Sequence, residues 1–242
     1  MIRELLKLVD TLRARCPWDR EQTVVSLKNK VIEEAYELLE AIESDDERGI
    51  REEIGDLIFL CFFYVRMLKD ERNIELDDIL QDVIRKYKTK HPHVFQDEQF
   101  KTQDEVLAYW HKSKDDIFRG IALSLPALMA AQIIQERART LGFDWSSPQG
   151  PMEKVKEEVR EVEDSTERDD VFEEFGDLLF ACVNLGRHLA VEPEDALRRA
   201  NKKFVRRFRA LLDELQKQNK DISTLSLEEM DQIWDTIKER DG

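Results

Sequence analysis

The residues best suited to chemistry in this sequence are acidic, and they occur twice with the same spacing. The two copies read Glu33-Glu34-x-x-Glu37 with Glu53-x-x-Asp56, and Glu157-Glu158-x-x-Glu161 with Glu174-x-x-Asp177. Residues three positions apart lie on one face of an α-helix, so the members of each pair point the same way. If the two helices of a copy pack antiparallel across a short loop, four carboxylates converge. Their mutual repulsion then favours either raised pKa values or a bound cation.

Carboxylates alone form a set of hard oxygen ligands, which suits Mg²⁺ or Mn²⁺ better than Zn²⁺. A solvated acidic face is the alternative, but Gly55 and Gly176 argue against it. Each glycine stands before an acid and an apolar run in a predicted helix, where Gly costs about 1 kcal/mol relative to Ala. Close approach of another helix or of a ligand is therefore expected there. A ferritin-like di-iron bundle is excluded, because it needs Glu-x-x-His pairs and none of the four histidines has a Glu three positions before it.

Cationic and aromatic residues are also repeated at helical spacing, which suits binding of several phosphate oxygens. The predicted substrate-binding residues are Lys203, Arg207, Trp234 and Lys238 in the second half, and Lys86, Lys90, Trp110 and Lys114 in the first. Lys30 and Lys154, one turn before the acidic pairs, are weaker candidates. A solvated basic face and a core tryptophan remain the alternatives. The sequence contains neither a G-x-x-x-x-G-K-[ST] loop nor G-x-G-x-x-G, which argues against a P-loop or Rossmann nucleotide site.

The elements that position these residues form an internal repeat. Gly55-Asp-Leu-Ile-Phe59 recurs as Gly176-Asp-Leu-Leu-Phe180, 121 positions later, and Cys61 and Arg66 match Cys182 and Arg187 in the same register. Apolar residues recur with helical periodicity throughout, which predicts an all-α fold. We predict a tandem repeat of one helical-bundle module, with an N-terminal module at 1–118 and a C-terminal module at 119–242. Capping boxes at 102–105 and 226–229 are expected to open the two tryptophan helices.

Composition narrows the classes of partner. The net charge of −15 argues against binding to nucleic acid or an anionic membrane. The three cysteines are far apart, and the first residues lack a signal-type apolar core, so a cytoplasmic protein is expected. The run 57–65 is apolar on every side of its helix, which predicts cover by another module or a second chain.

The motifs together resemble one family. The E-E-x-x-E and E-x-x-D pairs, Cys16-Pro-Trp-Asp19, Gln22-Thr23 and Gly142-Phe-Asp-Trp145 are similar to full-length bacterial MazG proteins over essentially the whole chain. The chain departs from that pattern at Val24, where the family commonly has His, and in a shorter stretch between Glu161 and Glu174.

The resemblance implies a dimeric, Mg²⁺-dependent all-α enzyme that converts nucleoside triphosphates to monophosphates and pyrophosphate. The implied metal ligands are Glu158, Glu161, Glu174 and Asp177, with Glu34, Glu37, Glu53 and Asp56 as the matching set. We expect Glu157 to orient or deprotonate the attacking water, and the second module to be the main hydrolytic one. A metal-dependent nucleotide-binding regulator with little hydrolysis is one alternative, and a helical scaffold with acidic faces is another.

Overall fold

The computed structural model describes residues 1–96, 100, 102, 105–106, 109–110 and 116–241. Within these ranges the chain forms α-helices, one short 3-10 helix and no β-strand, so the predicted all-α fold is confirmed. The chain divides into two compact units, Met1–Gln99 and Phe100–Gly242. The predicted module boundary at 118/119 stays a prediction.

The first unit contains six described helices. Their bounds are α1 Ile2–Arg15, α2 Pro17–Glu21, α3 Lys28–Glu43, α4 Glu47–Arg72, α5 Leu76–Lys90 and α6 Pro92–Phe95. Helices α3 and α4 pack together, and α1 packs on α4. A core of Val9, Leu27, Leu60, Phe63 and Met67 holds these helices, with Phe63 and Met67 almost completely buried.

The second unit has five described α-helices and a 3-10 turn at Ile222–Thr224. The helices are α7 Ala127–Arg139, α8 Gln149–Asp164, α9 Arg168–His188, α10 Pro193–Lys217 and α11 Leu227–Asp241. Helix α9 packs on α8, α7 and α10, while α10 packs on α7 and α11. Leu211, Leu215 and Ile237 form the core between α10 and α11.

Local sequence signals account for where the helices start and stop. The predicted capping box at the start of α11 is present: Ser226 N donates to Glu229 Oε2 at 2.9 Å, and Glu229 N donates to Ser226 Oγ at 3.2 Å. At the other predicted box, Glu105 N donates to Thr102 Oγ1 at 3.2 Å. Asp46 caps the start of helix α4, because its side chain accepts a hydrogen bond from Arg48 N. Asn73, in the left-handed conformation, follows the last residue of the helix. None of the described helices is long and apolar enough to cross a membrane.

Candidate functional site

In the first unit, the acids of α3 and α4 meet at one place. The turn between the two helices is short, so they run back along each other and bring the motifs together. Carboxylate oxygens of Glu34, Glu53 and Asp56 all lie within 4.8 Å of one another. Glu34 is buried, with 5% of its surface exposed, although a lone carboxylate is costly to bury.

The electrostatics of this first cluster show crowding of negative charge. Burial raises the pKa of Glu53, and the charges of Glu37 and Glu34 raise it further. Lys30 offsets part of this charge, because its Nζ lies 2.8 Å from Glu34 and 3.0 Å from Glu33. Hydrogen bonds to Glu34 and then Glu33 raise the pKa of Lys30 in turn.

In the second unit, α8 and α9 repeat the arrangement. Carboxylate oxygens of Glu158, Glu174 and Asp177 lie within 4.8 Å of one another, and Glu158 is only 3% exposed. Glu158 also belongs to a second such group, with Glu157 and Glu161 on its own helix. The five acids predicted for the second site are therefore linked through Glu158.

A lysine again lies beside the buried acid. Lys154 Nζ is 2.7 Å from Glu157 Oε1 and 2.5 Å from Glu158 Oε1, and these bonds raise the pKa of Lys154. A hydrogen bond to Glu158 raises the pKa of Glu161, followed by burial and by the Glu158 charge. The carboxylates are thus only partly neutralised by the chain itself.

These residues fit a hard divalent cation. Glu34 Oε2 and Glu53 Oε2 are buried without a hydrogen-bond partner, which is costly unless another group binds them. In both units the candidate ligand atoms are carboxylate oxygens, the ligand type that Mg²⁺ and Mn²⁺ prefer. Metal binding by these particular residues stays a prediction.

The predicted phosphate-binding residues of the second unit lie on α10 and α11. Lys203 and Arg207 are on α10, which packs on the E-x-x-D helix α9. Lys238 Nζ lies 2.7 Å from Asp235 Oδ1 on the surface of α11. The Trp234 ring packs on Phe204 with centroids 5.3 Å apart. Trp234 therefore packs partly against the core of the unit, and substrate contact by all four residues stays a prediction.

The corresponding residues of the first half are divided. Lys86 and Lys90 lie on α5 of the first unit, whereas Trp110 falls in the second compact unit. Lys114 lies outside the described residues. A joint substrate contact by these four therefore stays a prediction from the repeat alone.

The close approach expected at Gly55 and Gly176 is not made within the described chain. Apart from each helix's own backbone and the adjacent residues, no atom lies within 4 Å of the position a Cβ would take at either glycine. Both glycines face outward, beside exposed side chains such as Ile54 and Phe175. Packing against another of the described helices is therefore not the reason for glycine here.

A cavity beside the second cluster is a feature that motif reasoning missed. It has a volume of about 770 Å³ and is lined by residues of α7, α8, α9 and the loop before α8, among them Lys154, Glu158 and Asp177. Arg187 holds that loop, because its guanidinium binds both oxygens of Asp144 at 2.5 and 2.8 Å. His188 Nε2 lies 2.8 Å from Asp144 Oδ1. The repeated arginine, Arg66 and Arg187, was the available signal, but its partner is 43 residues away.

One protein family matches a segment that contains the first acidic cluster, and individual relatives match almost the whole chain. Residues 22–95 match the family described as the MazG nucleotide pyrophosphohydrolase domain. A Thermotoga maritima protein, "Nucleoside triphosphate pyrophosphohydrolase/pyrophosphatase MazG", is 37% identical over 98% of this chain and 96% of its own length. The Escherichia coli K12 "Nucleoside triphosphate pyrophosphohydrolase" is 38% identical over 99% of this chain and 98% of its own. The uncharacterized protein YabN of Bacillus subtilis is 37% identical over 93% of this chain and 48% of its own length.

Proposed function

Since this chain belongs to the MazG family of nucleotide pyrophosphohydrolases, we propose that it is an enzyme that hydrolyses nucleoside triphosphates to nucleoside monophosphates and pyrophosphate. The reaction is Mg²⁺-dependent, and water attacks the α-phosphorus. The observation that carries the proposal is the buried carboxylate of Glu158, which lies close to Glu174 and Asp177 and lines a cavity together with Asp177.

Glu158, Glu161, Glu174 and Asp177 hold the cation in the second unit. When bound there, a divalent cation acts as a Lewis acid toward phosphate oxygens and water. Glu158 is the ligand common to both acidic groups, so it links the α8 acids to those of α9. The pKa of Glu161 is raised partly by the neighbouring carboxylates, and a bound cation would offset that negative charge.

The remaining steps fall to other side chains. Glu157, adjacent to the ligand Glu158 and more exposed, orients the attacking water and takes its proton. Lys203, Arg207 and Lys238 bind the departing pyrophosphate and offset the charge that develops on it. Lys154, which neutralises part of the cluster and lines the cavity, binds a phosphate oxygen in this proposal.

The second unit is the main hydrolytic site in this proposal. The first unit has a similar acidic cluster, so Glu34, Glu37, Glu53 and Asp56 bind metal as well. The enzyme works as a homodimer in the cytoplasm. Support for a dimer comes from apolar side chains that stay exposed at helical spacing along one side of α9, namely Phe172, Phe175 and Leu179.

Hydrolysis in ¹⁸O-labelled water tests the reaction class. With Mg²⁺ and a nucleoside triphosphate, the label should enter the monophosphate and be absent from pyrophosphate. Label in pyrophosphate would move the attack to the β-phosphorus. A nucleoside diphosphate with orthophosphate as the first products would overturn the proposed reaction.

A further inference from the structure

Helix α10 is strongly basic, although the chain as a whole is acidic. Its residues 198–209 contain seven Lys or Arg and no Asp or Glu, whereas the net charge of the chain is −15. Like charges one turn apart on a helix repel each other and weaken the helix. The stability of α10 is therefore not what explains so many cations in so short a stretch.

Four of these cations lie on one face of α10. They are Arg198, Lys202, Arg206 and Arg209, which together we call the basic face. Successive members are three or four residues apart, so they follow one another along the same side of the helix. At about 1.5 Å per residue, the basic face extends for roughly 16 Å. It is a row of cations and not a single pair.

An open groove follows the basic face. All four cations line it, and Asp213 is the one acid among the described lining residues. Lys202, Arg206 and Arg209 are exposed to solvent. The groove therefore carries positive charge, and its cations can be reached from solution.

Arg209 shows most directly that the basic face can accept an anion. Arg198 pairs with Asp195 of its own helix at 3.2 Å. Arg209, in contrast, forms no salt bridge with any acid of the described residues, although Asp213 is one turn away on the same helix. An anion that enters the groove does not have to displace a carboxylate from this guanidinium.

The basic face is separate from the cations predicted to bind substrate. Lys203 and Arg207 each follow a member of the basic face by one residue, which turns them about 100° around the helix axis. Neither of them lines the groove. A ligand in the groove therefore leaves the proposed hydrolytic site open.

The charge and spacing of the basic face suit linked phosphates. Arginine can bind a phosphate through two parallel hydrogen bonds, and three of the four cations are arginines. A terminal phosphate group carries about −1.5 to −2 charge near pH 7, whereas a carboxylate carries a single charge. Cations one turn apart can each bind a different phosphate of one chain. Four cations beside one acid are therefore matched better by a short oligophosphate than by an acidic peptide.

We propose that the basic face of α10 is a second phosphate-binding site, which takes either free pyrophosphate or the phosphate chain of a second nucleotide. The site binds this ligand without a divalent cation, because its own side chains supply the positive charge. The proposed reaction releases pyrophosphate, so the enzyme meets such an anion at every turnover. That link to the reaction rests on the proposed function, but the binding site itself does not.

Titration calorimetry of the full-length protein with tripolyphosphate, in EDTA and about 0.15 M salt, tests the site. Without a divalent cation the acidic clusters repel this anion. Arg209→Glu should weaken binding by about tenfold or more, because a charged contact becomes a repulsive one.

Arg199→Glu is the matched control for this variant. It makes the same change of charge on α10, but Arg199 pairs with Asp195 and lies outside the groove. At this salt concentration charges interact over about 8 Å, so the affinity should change by less than about twofold. No measurable binding by the wild type, or an equal loss in both variants, would overturn the proposal.

Two double variants separate this site from the hydrolytic one. Lys202→Ala/Arg206→Ala should lose metal-free binding and keep kcat/KM with Mg²⁺ within about twofold. Lys203→Ala/Arg207→Ala, which removes the adjacent cations assigned to substrate, should keep the binding and lose at least about tenfold in kcat/KM. The reverse pattern, or a loss of kcat/KM in both, would refute a separate site.

Further probes identify the source of the ligand. Free pyrophosphate that displaces tripolyphosphate and binds as tightly would indicate a product site, and tighter binding by a nucleoside diphosphate would indicate a nucleotide site. Either result supports the proposal. Tighter binding by an oligoaspartate peptide than by tripolyphosphate would overturn it and assign the basic face to an acidic protein. The binding measurements need no turnover, so their outcome is independent of whether the chain hydrolyses triphosphates.

Discussion

The two units carry similar acidic clusters, but the residues packed next to these clusters differ. In the first unit, the E-x-x-D helix α4 continues into a core in which Phe63 and Met67 are fully packed. In the second unit, α9 continues into a cavity lined by Ala181 and Asn184. A duplicated motif can thus keep its acids while the residues packed next to them diverge, because bringing the acids together needs only two helices and a short turn.

The repeated arginine shows the same divergence. Arg66 lies 2.5 Å from Asp70 of its own helix and 2.8 Å from Asp10 of α1, and its side chain is 32% exposed. Arg187 instead binds Asp144 in the loop that lines the cavity beside the second cluster, and its side chain is only 11% exposed. The arginine pairs with acids on two helices in the first unit and with a loop acid in the second. We infer that the Arg187–Asp144 pair stabilises the loop that lines the cavity of the second unit.

The largest difference between the units should appear in activity. Asp177→Asn should lower kcat/KM by at least about 100-fold, since even loss of a residue that supports a metal ligand typically costs ~10–100-fold. Asp56→Asn, the matching change in the first unit, should cost less than about threefold, because we assign hydrolysis to the second unit. Steady-state kinetics with saturating Mg²⁺ measures both.

The melting temperature supplies the control for this pair. Millimolar Mg²⁺ should raise it in the wild type by mass action, and each variant should lose part of the rise. A wild-type melting temperature that ignores Mg²⁺ would refute the metal sites. If Asp56→Asn lost the activity and Asp177→Asn kept it, the roles of the two units would be reversed.

An intermediate difference should appear in stability. Asp144→Asn should lower the free energy of unfolding by about 2 kcal/mol, because it leaves the mostly buried Arg187 with a neutral partner. Asp70→Asn in the first unit should cost less than about 1 kcal/mol, because Asp70 is 35% exposed and both of its arginines keep other partners. Arg66 keeps Asp10, and the mostly buried Arg13 keeps the backbone carbonyls of Asp19 and Gln22. Urea denaturation at pH 7 measures both. Equal losses would contradict the distinction drawn between Arg66 and Arg187.

The pH dependence of Asp144 has a definite sign. Hydrogen bonds from Arg187, and to a lesser extent His188, lower the pKa of Asp144 from its ordinary 3.8 to about 2. The stabilisation is therefore complete above the ordinary pKa and is lost as the pH falls from 3.8 through 2. Asp144→Asn should lack this component of the acid transition.

The smallest effect should come from the repeated glycines. Gly55→Ala and Gly176→Ala should each raise the free energy of unfolding by up to ~1 kcal/mol, because alanine favours a helix and nothing in the described chain contacts the new methyl group. Thermal denaturation measured on dilute protein tests this. If one of the two variants is destabilised instead, a group outside the described residues approaches that helix, and the exposed surfaces of the two units then differ as well.

Much of the fold and of the candidate site follows from local sequence rules. The spacing of Glu34 from Glu37 and of Glu53 from Asp56 depends only on the helical period, and the packing of adjacent helices across a short turn brings the pairs together. The capping box at Ser226 and Glu229 likewise needs only two hydrogen bonds between residues three positions apart. The all-α fold and the duplicated acidic motif could therefore be read from the sequence.

Tertiary structure alone decided what surrounds those motifs. The cavity beside the second cluster depends on how much volume Ala181, Asn184 and their neighbours on α7 leave unfilled, and no local rule specifies that volume. The Arg187–Asp144 pair joins residues 43 positions apart, and Trp234 packs on Phe204 across two helices. Burial, likewise, is what leaves an oxygen of Glu34 and one of Gln135 without partners. Such effects depend on long-range packing, because a side chain's neighbours in space are set by the whole unit and not by the residues beside it in sequence.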